Sequence, residues 1–276
     1  MSPLLAALVI VASAGAIAGL MLLHRRVAPA GGHFKDSDRA SSVFGFLGAG
    51  FAILLGFVIL LTFEGYRGAK EDAENEATAV FEQFQVSALF NPEPRRVRIQ
   101  GELVCYARSV VGQEWPAMKH GDRSAVTDGW VEVLEREVPA ADISTLRKNV
   151  AYQQWFSQTS ARDNARRQRL LAASNGIPAL LWVMLIIAAV AVVAFVLLYA
   201  DPEERALGQV LFSGGVTAVI VTSLLAVSLL AAPFRNANGS IKPTSMRYTL
   251  QLIQDEVAQL GSPVSPRCDD EGRPGP

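Results

Sequence analysis

Charged residues are absent from the four longest apolar stretches of the sequence, which cover residues 3–23, 44–63, 177–199 and 209–233. Each stretch holds about 20 residues, the length that a helix needs to cross about 30 Å of hydrocarbon. A segment surrounded by lipid must satisfy its own backbone hydrogen bonds, so each stretch is expected to be a helix. This absence of charge therefore indicates a multi-pass membrane protein with four transmembrane helices.

The same lack of charge within the spans narrows the mechanism. Proton relays, voltage sensors and most ion-coupled transporters need ionisable side chains inside the membrane. The spans also lack the interrupted helices that are typical of secondary transporters. Proton-coupled transport is therefore disfavoured, while a channel with an apolar or wide pore is not.

Cysteine and histidine are scarce and scattered. Because disulfide and metal frameworks need clustered ligands at suitable spacings, Cys105 and Cys268 are predicted to be free thiols. The three histidines are far apart in the sequence, so no metal site is predicted. Nucleophile elbows, Walker loops and metalloprotease motifs are also missing. The chain is therefore predicted not to be an enzyme, with no catalytic residue and no cofactor, and its net charge of −1 gives no argument for a nucleic-acid partner.

Residues 64–176 have the composition of a soluble segment. Their apolar residues recur every three or four positions without strand-like alternation, which predicts an all-helical insert that continues the second span. Glu114, Trp115 and Pro116 are predicted to form a turn within the insert. Asp142 or Ser144 is expected to cap its last helix, because either side chain can accept from free N–H groups of the first turn.

The segments on either side of the insert complete an all-α, polytopic fold. A first helix pair is predicted within residues 1–63, and a hairpin of helices 177–199 and 209–232 within residues 177–233. The tail, 234–276, carries an amphipathic pattern over 245–260 and a polar end that is expected to be disordered. The apolar face of that tail helix offers a surface for a protein partner and consists of Met246, Leu250, Ile253, Val257 and Leu260.

An even number of spans places both termini on the same side of the membrane as the insert. Basic residues near the membrane ends number nine on that side and five in the opposing loops, which favours a helical insert and termini in the cytoplasm. The nine are Arg67, Lys70, Arg162, Arg166, Arg167, Arg169, Arg235, Lys242 and Arg247, and the five are Arg25, Arg26, Lys35, Arg39 and Arg205.

Small residues four positions apart recur in three of the spans. Such pairs let helix backbones approach closely in lipid. They are candidates for a pore or dimer contact, although packing between helices of one chain is the favoured interpretation. These helix-packing candidates are Gly15 and Gly19, then Gly48, Ala52 and Gly56, and finally Gly214, Ala218 and Thr222.

Phenylalanine is concentrated in the second span. Aromatic rings from several subunits can form a hydrophobic constriction that gates by dewetting, which makes Phe51 and Phe57 candidates for a pore constriction. The simpler alternative is that phenylalanine is a lipid-compatible residue.

Four arginines precede the third span, namely Arg162, Arg166, Arg167 and Arg169. They are candidates for binding anionic lipid headgroups. The same charges could instead be a plain topology signal, or they could pair locally, as Asp163 would with Arg167.

Several short motifs occur in an order that is similar to a known family. They include Phe63-Glu64-Gly65-Tyr66, Glu76, the Glu114-Trp115 pair and the Pro233-Phe234 pair. With two spans on each side of a helical insert, the chain resembles the bestrophin-like family of bacterial membrane proteins, a domain of unknown function. The resemblance implies a bacterial cell-membrane protein that forms a homo-oligomer, distantly related to pentameric ion channels. A non-conducting scaffold or sensor that binds a partner through its soluble helices is the alternative.

Overall fold

The computed structural model describes residues 2–90, 93–137, 145–174, 176–235, 237–261 and 264–275. Over these residues the chain is helical and contains no named strand. A π-helical turn, Val110–Glu114, follows α3 directly. The α-helices are α1 (Pro3–Arg25), α2 (Ser37–Phe90), α3 (Arg95–Ser109), α4 (Trp115–Met118), α5 (Ala125–Glu137), α6 (Leu146–Ser174), α7 (Ala179–Leu197), α8 (Ala206–Leu230) and α9 (Thr244–Leu260). The all-α class is therefore confirmed, while the expected caps Asp142 and Ser144 lie outside the described residues.

The helices form two compact units. Unit 1 consists of Met1–Gly65, Ile177–Ala231 and Ala237–Gly239. Unit 2 consists of Tyr66–Gly176, Ala232–Asn236 and Ser240–Pro276. Helix α2 contributes residues to both units, so the second apolar span and the start of the segment after it belong to one uninterrupted helix.

Unit 1 contains the apolar helices. Helices α1, α2, α7 and α8 are each long and apolar enough to cross a membrane. Their contacts include a cluster in which Phe51, Leu55 and Val58 of α2 pack with residues of α7 and α8. Most other apolar side chains on these helices stay exposed, as expected for surfaces that face lipid.

The small residues of unit 1 differ in what they contact. A Cβ added to Gly214 of α8 would lie 3.7 Å from the backbone oxygen of Ala14 on α1, so this glycine sits at a close helix crossing. A Cβ added to Gly15, Gly19, Gly48 or Gly56 would meet no atom within 4 Å. Gly48 and Ala218 are half-buried, whereas Ala52 and Thr222 are exposed. Close helix packing is therefore seen at Gly214, and for the other small residues it stays a prediction.

Unit 2 has a continuous apolar core built from α2, α3, α5, α6 and α9. Met246 and Ile253 of α9 are buried in this core, and Leu250 and Val257 pack against it. The Thr249 hydroxyl of α9 donates to the carbonyl oxygen of Ala77 at 3.0 Å. The apolar face of the tail helix is thus occupied by the protein's own residues and is not free to bind a partner. The side chain of Leu260 lies outside the described part of the chain.

The segment predicted as a turn at Glu114-Trp115-Pro116 is helical instead. The Trp115 N–H donates to the carbonyl oxygen of Val110, five residues earlier, which is the hydrogen bond of a π-turn. Pro116 follows in the first turn of α4, a position where proline is common. The helical path continues through the motif, and the Glu114 carboxylate is buried as a result.

The end of the tail is ordered, and the cysteines are joined. Cys105 of α3 and Cys268 form a disulfide across 163 residues of sequence. Residues 264–275 turn back on themselves, with hydrogen bonds from Asp269 to Arg273 and from Gly275 to Arg267. The predictions of free thiols and of a disordered end are therefore wrong for these residues. Local spacing could not reveal the pairing, because only the fold brings the two cysteines together.

Candidate functional site

One face of α2 in unit 1 stays outside the packed helices. Its residues follow at steps of four and three, so they form a single stripe along the helix. All of them are apolar and exposed, with Ile53 at 74% and Phe57 at 59%. We call this set the α2 stripe, and it comprises Phe46, Gly50, Ile53, Phe57 and Leu60.

The two phenylalanines predicted to form a constriction lie on different faces of α2. Phe57 belongs to the α2 stripe and is available to another subunit or to lipid. Phe51 is only 8% exposed and belongs to the cluster with α7 and α8. Phe51 therefore packs within the protomer, so of the two candidates Phe57 is the one that is exposed on α2.

Unit 2 contains a buried network of charged side chains. Three arginines of α6, Arg162, Arg166 and Arg169, are spaced by four and three residues and therefore share one helix face. All three are buried, whereas Arg167 points to another face and is exposed. The carboxylates that meet these arginines come from α2, the π-helical turn, α5 and α6 itself.

Arg169 joins two of the carboxylates. Its Nε and Nη2 atoms donate to the two oxygens of Glu76 at 2.6 and 2.9 Å. Nη2 also donates to Glu114 at 2.6 Å. The guanidinium carbon lies 5.0 Å from the centre of the Trp115 ring, within the range of a cation–π interaction. Arg169, Glu76 and Glu114 are all fully buried, so this ion pair is shielded from solvent.

Arg166 extends the network to α5. Its guanidinium donates to both oxygens of Glu114, and its Nη2 donates to Asp128 at 2.7 Å. Asp128 also pairs with the exposed Arg123 at 3.4 Å. The connected groups therefore contain three carboxylates and three guanidiniums, and their formal charges cancel.

A second branch of the network involves Tyr106. Its hydroxyl donates to Glu76 at 2.7 Å, and the guanidinium carbon of Arg162 lies over its ring, 5.1 Å from the ring centre. Arg162 in turn donates to Gln83 at 3.2 Å and to Asp163 at 2.9 and 3.0 Å. Asp163 thus pairs with Arg162 rather than with Arg167, its predicted local partner.

The network keeps its members in defined protonation states. Burial alone would raise the pKa of Glu114, but Arg169 and Arg166 more than compensate and hold it below its usual value. Burial and the nearby Glu76 carboxylate raise the pKa of Tyr106 well above its usual value, so the phenol stays protonated. Glu114 is consequently ionised at neutral pH, and the Tyr106 hydroxyl keeps the proton that it donates to Glu76.

The buried arginines correct the assignment of a lipid site. Arg162 and Arg169 have no exposed surface and Arg166 has little, and the donors of all three are directed at carboxylates. Of the four candidates only Arg167 is exposed. A sequence signal did exist, because the 162, 166, 169 spacing places these arginines on one helix face while Arg167 lies off it.

The remaining motif residues gather beside the network. The Trp115 indole N–H donates to the carbonyl oxygen of Ile241 at 3.2 Å, and its ring packs edge-on against Phe234 with centroids 5.5 Å apart. The backbone of Ile241 donates in turn to Pro233 at 2.8 Å. Glu76, Glu114, Trp115 and Phe234 are therefore parts of one buried assembly.

The chemistry of this assembly is structural. Every charged group in it meets an opposite charge, and the described residues contain no group of three or more side chains suited to a metal ion. The two histidines His24 and His33 do meet, with 3.1 Å between their Nε2 atoms, but they lie in unit 1. The network therefore fixes how α2, α5, α6 and the π-helical turn pack.

Comparison with known proteins is consistent with this architecture. A family model described as a bestrophin-like domain matches residues 11–260. No curated protein matches the sequence significantly.

Solved structures show the same fold. A bacterial bestrophin homologue from Klebsiella pneumoniae, determined by Zn-SAD phasing, is 14% identical with a TM-score of 0.67, and the match covers 92% of this chain and 98% of the homologue. A variant of that homologue with a leucine-to-threonine mutation is 13% identical with a TM-score of 0.65, covering 94% and 99%. A membrane protein with a proline-to-alanine mutation is 13% identical with a TM-score of 0.67, covering 90% and 98%.

Proposed function

The chain belongs to the bestrophin-like family, and from this premise we propose that it is a homo-oligomeric anion channel of the bacterial cell membrane. Bestrophins are oligomeric anion channels. Four helices of one chain do not readily enclose an aqueous path, so a conducting form requires a closed ring of subunits. Membership of this family also supports the expectation that the chain is not an enzyme and uses no cofactor.

The α2 stripe is the observation that carries this proposal. It leaves an apolar face of the second span unoccupied within the protomer, while the opposite face is held by α7 and α8. In a ring, the α2 stripes of all subunits would face the axis. Rings of apolar side chains at that position constrict a pore and control its wetting.

We propose Phe57, together with Ile53, as the constriction. Phe57 is the exposed aromatic residue near the middle of the α2 stripe, and Ile53 lies one helical turn before it. Phe57→Ala would widen and hydrate the constriction, so anion flux through reconstituted protein is expected to rise. Ile187→Ala on α7 is the matched control, because Ile187 is equally apolar and exposed but lies off α2.

Two measurements test the proposal. Light scattering of the detergent-solubilised protein is expected to give the mass of a closed oligomer, and planar bilayers are expected to show anion currents. A monomer that passes no current would refute the channel. Equal effects of Phe57→Ala and Ile187→Ala would instead refute the placement of the constriction while leaving the channel intact.

We also propose that unit 2 and both termini lie in the cytoplasm. Nine basic residues near the membrane ends on that side, against five opposite, support this orientation. Single cysteines introduced at the exposed positions Asp38 and Asp122 can be labelled in intact cells, with the parent chain as control. An impermeant reagent is expected to label position 38 alone, and labelling of position 122 from outside would reverse the orientation.

The scaffold alternative loses the docking surface that the tail helix α9 would have offered. Met246 and Ile253, which would have formed the centre of that surface, are buried in the core of unit 2. Deleting α9 would therefore unfold unit 2 rather than release a partner.

A further inference from the structure

Residues 264–275 form a segment, here called the C-terminal strap, that lies across α3, the π-helical turn and α5 of unit 2. The backbone of the strap packs directly against two glycines of these helices. A Cβ on Gly101 would lie 2.6 Å from the carbonyl oxygen of Ser265, and one on Gly112 would lie 2.8 Å from that of Glu271. No other residue type fits at these two positions without moving the strap.

Polar contacts between the strap and the helices are few. The Trp130 indole N–H of α5 donates to the carbonyl oxygen of Gly272 at 2.7 Å. Arg108 donates to the carbonyl oxygen of Asp269 at 3.3 Å and pairs with the exposed carboxylate of Asp270 at 3.4 Å. The other hydrogen bonds of Asp269, Gly272 and Gly275 are internal to the strap and hold its own turn.

The Cys105–Cys268 disulfide is the covalent part of this attachment. Cys105 is fully buried in the core, whereas Cys268 lies on the strap and is half-buried. The sequence contains no third cysteine that could exchange with this bond. Because Cys105 is fully buried and Cys268 is half-buried, the strap side of the bond is the more accessible to a reductant.

We propose that Cys105–Cys268 is a thiol–disulfide exchange site whose redox state sets whether the C-terminal strap is docked. This inference rests on the proposed cytoplasmic position of unit 2, because disulfides that form in the cytoplasm of mesophiles are usually transient and redox-sensing. The co-reactant is a protein or small-molecule dithiol.

The exchange proceeds in two balanced steps. A thiolate of the dithiol attacks Cys268 Sγ, forms a mixed disulfide and displaces Cys105 as a thiolate, which takes up a proton. The second thiol of the dithiol, as a thiolate, then attacks the first sulfur of the same dithiol in the mixed disulfide. Cys268 leaves as a thiolate and takes up a proton. The protein gains two electrons and two protons, and the dithiol leaves as a disulfide.

Loss of the bond leaves the strap attached by the contacts of Trp130 and Arg108 and by packing on glycine. The strap also borders an open apolar groove of about 400 Å³, which is lined by Ala125, Val126, Gly129, Trp130, Val133 and Pro274. Undocking would remove Pro274 from the wall of this groove and expose the Trp130 indole, which is buried while the strap is docked. Reduction therefore enlarges an apolar groove on α5.

The docking step is tested on the full-length protein in nanodiscs by hydrogen exchange, before and after treatment with dithiothreitol. The turn of the strap loses its tertiary support when the strap leaves the helices, so reduction is expected to lower the protection of the Gly272 and Gly275 amides by at least about tenfold, with no change in α6. Unchanged protection after complete reduction would show a strap that docks without the bond and would overturn the proposal. A bond that dithiothreitol does not reduce under native conditions would overturn it as well.

Two glycine variants distinguish a loss of strap docking from a loss of folding. Gly112→Ala is expected to place a methyl group against the backbone of Glu271 and to lower strap protection even under oxidising conditions. Gly129→Ala on α5, where a Cβ meets no atom within 4 Å, is the control and is expected to keep the strap docked. Equal protection in both variants would contradict docking through glycine.

The state of the bond in cells is tested by acid quenching and alkylation with N-ethylmaleimide. Thiols are expected to predominate in growing cells and to convert to the disulfide on treatment with diamide. A bond that is oxidised throughout growth would overturn the switch. None of these experiments measures conduction, so a failure of the channel proposal would be detected separately. Labelling at position 122 tests the orientation independently.

Discussion

At the scale of single residues, the chain separates charges that the sequence presents as one cluster. Arg162, Arg166 and Arg169 are buried and paired, while their neighbour Arg167 is exposed. A buried ion is tolerated only when an opposite charge and hydrogen bonds replace the water that it loses. These arginines therefore act through their partners, Glu76 and Glu114 for Arg166 and Arg169 and Asp163 for Arg162, and not through their net charge.

Removing Arg169 should strongly destabilise unit 2. Arg169→Met keeps the approximate volume of the side chain but leaves Glu76 and Glu114 without their shared cation. Loss of one partner of a buried pair costs about 3–5 kcal/mol of unfolding free energy. Chemical denaturation of the purified protein measures this loss. The control Arg167→Met should change stability by less than about 0.5 kcal/mol, because Arg167 is exposed.

Acid should weaken the same network. The pKa of Glu114 is lower in the folded protein than in the unfolded chain, so its stabilising contribution is complete above the unfolded value near 4.5. That contribution is lost as the pH falls through the lower pKa of the folded state. Glu114→Gln should be less stable than the parent at pH 7, and the difference should shrink in acid. A difference that stays constant with pH would contradict the assignment of Glu114 as the titrating group.

At the scale of elements, different faces of one helix make different contacts. The inner face of α2 packs in unit 1 through Phe51, and the outer face presents the α2 stripe. Helix α9 buries its apolar face within unit 2. An amphipathic pattern therefore indicates that a helix face is covered, but the covering surface is decided by which helices lie nearby.

The crossing of α1 and α8 offers a test at this scale. Gly214 meets the α1 backbone, whereas its neighbour Gly215 has open space around it. Gly214→Leu should overpack the crossing and lower stability by about 1–3 kcal/mol. Gly215→Leu should be close to neutral for the protomer. Thermal unfolding of both variants in detergent makes the comparison, and equal losses would contradict the crossing.

At the scale of the whole molecule, unit 2 is assembled from distant parts of the sequence. Its core combines the end of α2, the insert and the tail after α8. The disulfide ties two of these parts together across 163 residues. The tail, which has the composition of a disordered segment, is ordered because it finds a complementary glycine-lined surface on α3 and the π-helical turn.

Breaking that tie should lower the stability of unit 2 as a whole. A disulfide that closes a long loop removes entropy from the unfolded chain and typically contributes about 2–4 kcal/mol. The Cys105→Ser, Cys268→Ser double variant should lose about that amount in chemical denaturation. Dithiothreitol should destabilise the parent protein similarly and leave the double variant unchanged. An effect of the reductant on the double variant would point to a cause other than this bond.

The sequence by itself determined the helical class and the four membrane helices. Both follow from local properties, because an uncharged run of sufficient length can satisfy its backbone in lipid only as a helix. The resemblance carried by Glu76, Glu114, Trp115 and Phe234 was also correct, and these residues meet in one buried assembly. Only the tertiary structure decided which arginines are paired, which phenylalanine is free, what covers α9 and that Cys105 meets Cys268. These outcomes depend on contacts between residues far apart in the chain, and local periodicity does not record such contacts.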